Sequence, residues 1–561
     1  YANTTGHGII GKHNLSKHNL TFRETSVLLN SRLKLDGSMN LMRQVVKNKP
    51  TVGGFYMNPL VGLYRFPRGE DIAYYKENFE VYDEGRNLNI QNWHTSYEDF
   101  EQNPYWITNR ILSKENRMHV IVSLSANLKI NDWLSLQARG NVDYINDKVR
   151  QQFYASTAPA LAGANGRYIE MDYQETQYYG DAILMMKKQW DAFSLNAALG
   201  ASINDKTVNS TRYDSKTASL KYANVFNLAN IIMNGSAGLD QKIDARRQLQ
   251  SLFATAQLGY NEFVYLDLSA RNDWSSTLAY TSHEKSGFFY PSVGFSLIFN
   301  KLMTLPRWVS LAKIRGAYSM VGNDIPMFIT NPSSHITAGG EFLASDAAPF
   351  KDMEPEMTHS FEAGIEARFL KNRIGLNATF YKTNTRNQFF KLPTLSGDKY
   401  AYRYVNAGNI QNVGWEVSLD AVPLLTNHFK WKTEVNFSTN RNKIISLHEA
   451  LKEFLYGPTS FSSSYAMKLV KGGSIVDIYG KSFVRDDAGN IVYGTEGDNT
   501  GMPLVEGDGN TVKVGNANPK LMLGWNHMLS YKNFSFYFLV DCRFGGDILS
   551  QTQADMDMYG V

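Results

Sequence analysis

Apolar and polar residues alternate with a period of two along most of this chain. From Asn533, one side carries Phe534, Phe536, Phe538, Val540, Cys542 and Phe544, and the other carries Ser535, Tyr537, Asp541 and Arg543, with Leu539 the single apolar exception. After Thr358, Phe361, Ala363, Ile365, Ala367 and Phe369 oppose Ser360, Glu362, Gly364, Glu366 and Arg368. Ile374, Leu376, Ala378 and Phe380 oppose Arg373, Asn377, Thr379 and Tyr381, and Val120 to Ile130 behaves in the same way. Successive side chains of a strand point to opposite faces, so this period predicts strands with one apolar and one polar face.

The connections alternate as well. Tight ones are predicted at Asn30-Ser31, Asn131-Asp132, Trp190-Asp191, Asn261-Glu262, Lys371-Asn372 and Lys532-Asn533, with slightly longer ones at Leu302–Pro306 and Leu425–His428. Between them lie long polar stretches, at Val46–Arg117, Asp147–Gln174, Asp205–Arg246, Gly322–Met357 and Ile444–Pro519, and mid-length ones at Asp273–Phe288 and Asn387–Val413. Short turns on one rim and long loops on the other are how a membrane-spanning barrel is written. The expected fold is all-β: a large antiparallel transmembrane β-barrel with short periplasmic turns and long extracellular loops. Roughly eight hairpins, and so about 16 strands, fall within the chain.

Composition narrows this further. No run of about 18 apolar residues exists, which argues against membrane-spanning helices. The net charge of +4 is small and dispersed over 561 residues, which argues against a nucleic-acid partner. The one cysteine, Cys542, has no partner for an internal disulfide and reads as a small hydrophobe on the apolar face. The chain opens without Met or a secretion signal and ends at Met558-Tyr559-Gly560-Val561. Open barrel edges are costly in lipid. Residues 1–561 are therefore expected to be part of a single barrel in a longer protein, with plug domain, signal sequence and terminal strands outside this chain.

Catalytic patterns fail on inspection. Gly480-Lys481-Ser482 lacks the earlier glycine of a phosphate loop, since Ile475 stands there. Neither His-Glu-x-x-His nor Gly-x-Ser-x-Gly occurs, and no cofactor or enzymatic activity is expected. Asp486 to Asn490, with Glu506 to Asn510, offers oxygen ligands to a structural calcium ion but departs from EF-hand spacing, and a polar surface turn is the better reading. The carboxylates Glu362, Glu366, Glu416 and Asp420, with Arg368, are read as lumen lining rather than as acid–base pairs. In the first long loop, Trp93, Tyr97, Phe100, Tyr105 and Trp106 interleave with Glu98, Asp99 and Glu101. Aromatic faces flanked by acids suit sugar rings or peptide side chains. A loop of this length also needs a small core of its own. Tyr168, Tyr173, Tyr178 and Tyr179 are expected in an interfacial aromatic girdle.

A collinear set of segments resembles the barrel portion of SusC/RagA-type TonB-dependent transporters of Bacteroidota. It comprises Ala270-Arg271-Asn272-Asp273-Trp274-Ser275-Ser276, Phe289 to Ser296, Lys313 to Asn323, Glu354-Pro355-Glu356, Glu362 to Glu366, Asn406 to Glu416, Asn518-Pro519-Lys520 and Gly545-Gly546-Asp547-Ile548. The Asn406 to Glu416 segment is its most specific mark. The resemblance implies a barrel of about 22 strands closed by a plug. It implies a nutrient importer of the cell outer membrane for oligosaccharides or peptides, capped by a SusD-like lipoprotein and energised by TonB–ExbB–ExbD. It also implies pairing of two transporter–lipoprotein complexes. A passive porin or adhesin barrel is the alternative that the alternation alone allows.

Overall fold

The computed structural model describes residues 1–49, 51, 56–95, 101–216, 220–233, 238–332, 334–336, 342–343, 345–351, 353–394, 398–448, 453–456, 465–497, 500–506, 512–550, 552–553 and 556–557. A single 17-stranded antiparallel sheet dominates it. A short strand β1 (Ala2–His7) leads into eight hairpins in chain order. They are β2 (Asn14–Leu28) with β3 (Leu33–Lys47), β4 (Ile111–Lys129) with β5 (Leu134–Phe153), and β6 (Arg167–Trp190) with β7 (Phe193–Asp214). Next come β8 (Gly238–Tyr260) with β9 (Val264–Ser275), and β10 (Phe288–Ile298) with β11 (Val309–Asn323). The last are β12 (Glu356–Phe369) with β13 (Ile374–Pro393), β14 (Tyr402–Leu425) with β15 (Phe429–Ser446), and β16 (Leu521–Tyr531) with β17 (Phe534–Phe544). Every strand pairs with its sequence neighbours in the sheet, and β1 and β17 are its two outer edges among the described residues. Among the described residues, no helix is long and apolar enough to cross a membrane.

The tight turns owe their shape to left-handed backbone. Asn30, Ser31, Asn261, Glu262, Lys371, Asn372 and Lys532 all take positive φ, which matches the right-handed twist of the flanking strands. At Asn131 the side chain does this work instead, its Oδ1 accepting from the N–H groups of Trp133 and Leu134 at 3.0 and 2.9 Å.

Register sorts the wall into rows. One runs Ile314, Ile365, Ala378, Val417, Phe437, Leu523, Cys542, and is apolar throughout. The adjacent row runs Lys313, Glu366, Asn377, Ser418, Asn436, Gly524, Asp541, and is almost wholly polar. Directly opposed residues share a face, so the alternation seen along one strand continues across seven. On the apolar face, Phe361 and Ile365 remain 48% and 46% exposed. A contiguous apolar surface of that extent requires a nonaqueous neighbour, which the membrane supplies.

Several strands outrun the membrane. β6 has 24 residues, which at about 3.3 Å each reaches well past an apolar band roughly 25 Å tall. Beyond the band the formerly apolar face carries cross-strand ion pairs: Lys148–Asp172 at 3.4 Å, Arg150–Glu170 at 3.0 Å and Arg246–Asp205. The tyrosine girdle needs correction for the same reason. Tyr178 does face outward. Tyr173 and Tyr179 point to the polar face, donating to Glu175 and Asp181. Tyr168 lies at the far end of β6, packed on Leu220 and Ile231. The buried hydrophobic clusters also sit at the loop rim rather than in the wall. One joins Leu278, Phe288, Ile325, Ile329 and Met353; another joins Phe153, Ala162 and Ile169.

Candidate functional site

Two regions can meet a passing solute: the polar face of the wall and the long loops above it. On the wall, Glu362, Glu366 and Arg368 of β12 share one face with Glu416 and Asp420 of β14, as the pairings through β13 require. Arg368 and Asp420 form an ion pair at 2.8 Å although a strand lies between them. The intervening residue of their row is Gly375. A side chain there would collide with both partners, so glycine lets the guanidinium cross the strand. Arg315 repeats the device: it passes over Gly364 to reach Thr379 Oγ1 at 2.7 Å and Asn377 Oδ1 at 3.1 Å. Glu366 has Lys313 at 3.8 Å. Glu416 belongs to a groove of about 480 Å³ on this face, with Arg315, Asn377, Ser418, Asn436 and Asp541 among its lining.

A second polar cluster stands on β5 to β10. Asp181, its side chain fully buried, accepts from Arg139 at 2.6 Å and from the Tyr179 hydroxyl at 2.6 Å. Arg271 donates to Asp273 at 2.7 Å and to Ser251 at 2.7 Å, and the Tyr290 hydroxyl donates to Asp273. Most charges of the face are thus paired, leaving a surface rich in hydrogen-bonding groups and modest in local charge.

The loop aromatics divide. Trp106 is fully buried on the short helix Pro104–Arg110, its indole N–H donating to Thr157 Oγ1 at 3.1 Å. Asn103 caps that helix by accepting from Tyr105 N–H at 2.8 Å. Trp93 is buried against Phe66 and His94, with ring centroids 5.2 and 4.8 Å away, and donates to Glu101 Oε1 at 3.1 Å. Tyr105 is half-buried. Tyr97 and Phe100 lie outside the described residues. Below this loop, a cavity of about 370 Å³ is bounded by Asn48, Thr108, Ile111, Glu115, Gln151 and Phe153, against which the sequence offered no signal because its residues come from four separate segments.

The segments that carried the family resemblance converge in space. Asp324 accepts from Arg247 Nε at 2.8 Å and Ser275 Oγ at 2.7 Å, and also from Thr277. Asn406 donates to Glu354 O and Asn387 O and accepts from Glu354 N–H. Asn387 and Gly408 both take positive φ where regular pairing of β13 with β14 is interrupted. The Asn-x-Gly segment therefore fixes a strand irregularity to the loop before β12.

In the last long loop, Asp486 accepts from the N–H groups of Ala488 and Asn490 at 3.0 and 2.8 Å, the geometry of a self-contained turn. Residues Asp508 to Asn510 lie outside the described residues, and no group of three metal-ligating side chains occurs among the described ones. Asp477 is the polar hub of this loop, fully buried and bonded to Lys513 at 2.7 Å, Asn516 Nδ2 at 2.6 Å and Ser474 N–H at 2.8 Å. Burial raises its pKa, but these donors outweigh burial and hold the carboxyl below its ordinary value. A depressed folded-state pKa contributes stability that is complete above about pH 4 and lost as pH falls through the folded value. Amide exchange in Tyr465–Val470 should accordingly be slow at pH 7 and accelerate below pH 4, beyond the intrinsic pH trend; an Asp477→Asn protein should lose that extra step.

A family model described as TonB dependent receptor-like, beta-barrel, matches residues 60–548. TonB-dependent receptor P3 of Formosa agariphila is 24% identical over 433 residues, covering 72% of this chain and 42% of that protein. TonB-dependent receptor SusC of Bacteroides thetaiotaomicron is 24% identical over 324 residues, covering 53% of this chain and 32% of that protein. Among solved structures, the RagAB peptide importer in its open-open state aligns with a TM-score of 0.73 at 17% identity, covering 95% of this chain and 57% of that one. The chain thus spans about half the length of the proteins it matches. With its sheet, alternating faces and loop rim in agreement, the chain is an outer-membrane barrel, not an enzyme, and belongs to the TonB dependent receptor-like β-barrel family.

Proposed function

We propose that the full-length protein imports an oligosaccharide or peptide through this barrel, as a SusC/RagA-type transporter. A SusD-like lipoprotein covers the loop rim, and TonB–ExbB–ExbD supplies energy through a plug segment. The family match over residues 60–548 carries this reading. The physical character of the polar face supports it. Sugar hydroxyls and peptide amides exchange hydrogen bonds readily with Asn377, Thr379, Ser418, Asn436 and Ser438, and because Arg368 and Lys313 already have carboxylate partners, no single point holds the solute tightly. Half-buried Tyr105 and the cavity bounded by Thr108 and Gln151 are the proposed region of first contact, with the buried Trp93 and Trp106 packing the loop that holds them.

Affinity purification of the full-length protein from detergent-solubilised outer membrane, followed by mass spectrometry, tests this. The expected result is a lipoprotein in near-equal amount together with bound glycan or peptide. A barrel recovered alone that conducts ions freely in a planar bilayer would contradict it and point to a porin.

A further inference from the structure

The outward face of β9 to β14 contains a groove of about 790 Å³ with an almost wholly apolar lining. Its floor is Gly316, Ala363 and Ala378. Phe295 walls one side, lying across Gly316 in the neighbouring strand. Phe380 and Trp415 wall the other, their ring centroids 5.1 Å apart. Small residues in the centre and aromatic rings at the margins leave a depression running along the strands, wide enough for a hydrocarbon chain.

The rows immediately toward the loops change character. Lys382 stands opposite Phe361 and Val413, and Arg441 stands opposite Val413. Lys443 follows beside Gln411, and Arg386 beside Met357. All four cations are exposed. None of them forms an ion pair among the described residues. The carboxylates of β11 to β15, Glu356, Glu362, Glu366, Glu416, Asp420 and Glu434, all lie on the opposite face by register. On β5 and β6, by contrast, outward cations face carboxylates, as in Lys148–Asp172 and Arg150–Glu170. Positive charge is thus uncompensated beside the loop end of the groove.

We propose that this surface binds a phosphate-bearing glycolipid of the outer leaflet, with an acyl chain in the groove and a phosphate on Lys382, Arg386, Arg441 and Lys443. Charge complementarity selects the anion, because unpaired cations beside an apolar surface favour a phosphate over a neutral head group. Position selects the leaflet. The cations lie on the loop side of the apolar band, and the glycolipid is the phosphate-bearing lipid on that side of an outer membrane. The site is independent of transport, since its residues face away from the lumen.

The test is native mass spectrometry of the full-length protein released from phosphatidylcholine nanodiscs doped with lipid A, its dephosphorylated form and phosphatidylglycerol in equal amounts. The wild type should retain lipid A about tenfold over the dephosphorylated form. K382Q/R386Q/R441Q should abolish that preference while still folding, judged by its heat-shifted mobility on a gel. Ala363→Trp, which fills the groove and leaves the cations, should lower retention of both forms of lipid A. Equal retention of the two forms by the wild type, or unchanged retention by both variants, overturns the proposal. Preferential retention of phosphatidylglycerol overturns its assignment to a glycolipid.

Discussion

Arginine in place of Ile365 should destabilise the folded barrel by about 2–4 kcal/mol, the cost of a cation on the lipid face near the bilayer midplane. Ile365 is the third of five consecutive outward residues of β12, between Ala363 and Ala367 and bounded by Phe361 and Phe369. Five such positions span about 27 Å along the strand, and strand tilt reduces this to the height of the apolar band. The neighbouring Glu366→Gln change, one residue away on the other face, should cost less than about 1 kcal/mol, because the pair it breaks with Lys313 is partly exposed and loose at 3.8 Å. Guanidinium titrations of the full-length protein refolded into phosphatidylcholine vesicles, followed by tryptophan fluorescence, would measure both. Comparable losses from the two substitutions would mean that β12 does not separate lipid from water.

Trp106→Ala should have an effect of comparable size, confined to the loops. The indole is fully buried and its N–H has a partner in Thr157, so truncation leaves a cavity and an unsatisfied hydroxyl at a cost of about 3–5 kcal/mol. That cost falls on the rim, since the wall strands are held by their own ladders. Hydrogen exchange should speed up by orders of magnitude in Pro104–Arg110 and in residues 56–95, and remain unchanged in β12 and β13. Trp93→Ala should do less, because Trp93 retains slight exposure (9%). If both variants left loop exchange untouched and only weakened ligand binding, the rings would be contact residues rather than the packing of the loop.

The wall was legible because its physics is periodic. Each of the eight hairpins follows from alternation bounded by a short connection, six of them tight and two slightly longer, and Asn30, Asn261 and Asn372 at three of the tight ones take positive φ. Alternation failed where it ceased to exist. β1 reads Ala-Asn-Thr-Thr-Gly-His and has no apolar face to reveal it. The outer ends of β5 to β8 carry charges on the formerly apolar face, held in ion pairs such as Arg150–Glu170, so the expected loops Asp147–Gln174 and Asp205–Arg246 are partly strand. Likewise β13 and β14 extend into the region read as the Asn387–Val413 connection, through the irregularity at Asn387 and Gly408. At the candidate site, parity sufficed to place Glu362, Glu366, Arg368, Glu416 and Asp420 on one face. The partners could not be read, because Arg368 meets Asp420 across 52 residues and an intervening glycine. The loop aromatics were visible as a cluster, but which rings are buried depends on distant Thr157 and Phe66, beyond the reach of local spacing.

The most direct measurement is a spin-label scan of positions 361–369 in the full-length protein, on a Cys542→Ser background, reconstituted in lipid. Collision rates with oxygen and with a water-soluble nickel chelate report contact with lipid and with water respectively. Labels at 361, 363, 365, 367 and 369 should favour oxygen, most strongly at 365, and labels at 362, 364, 366 and 368 should favour the chelate. Oxygen preference at the even positions, or the absence of a two-residue period, would contradict a barrel whose polar face is the route for solute.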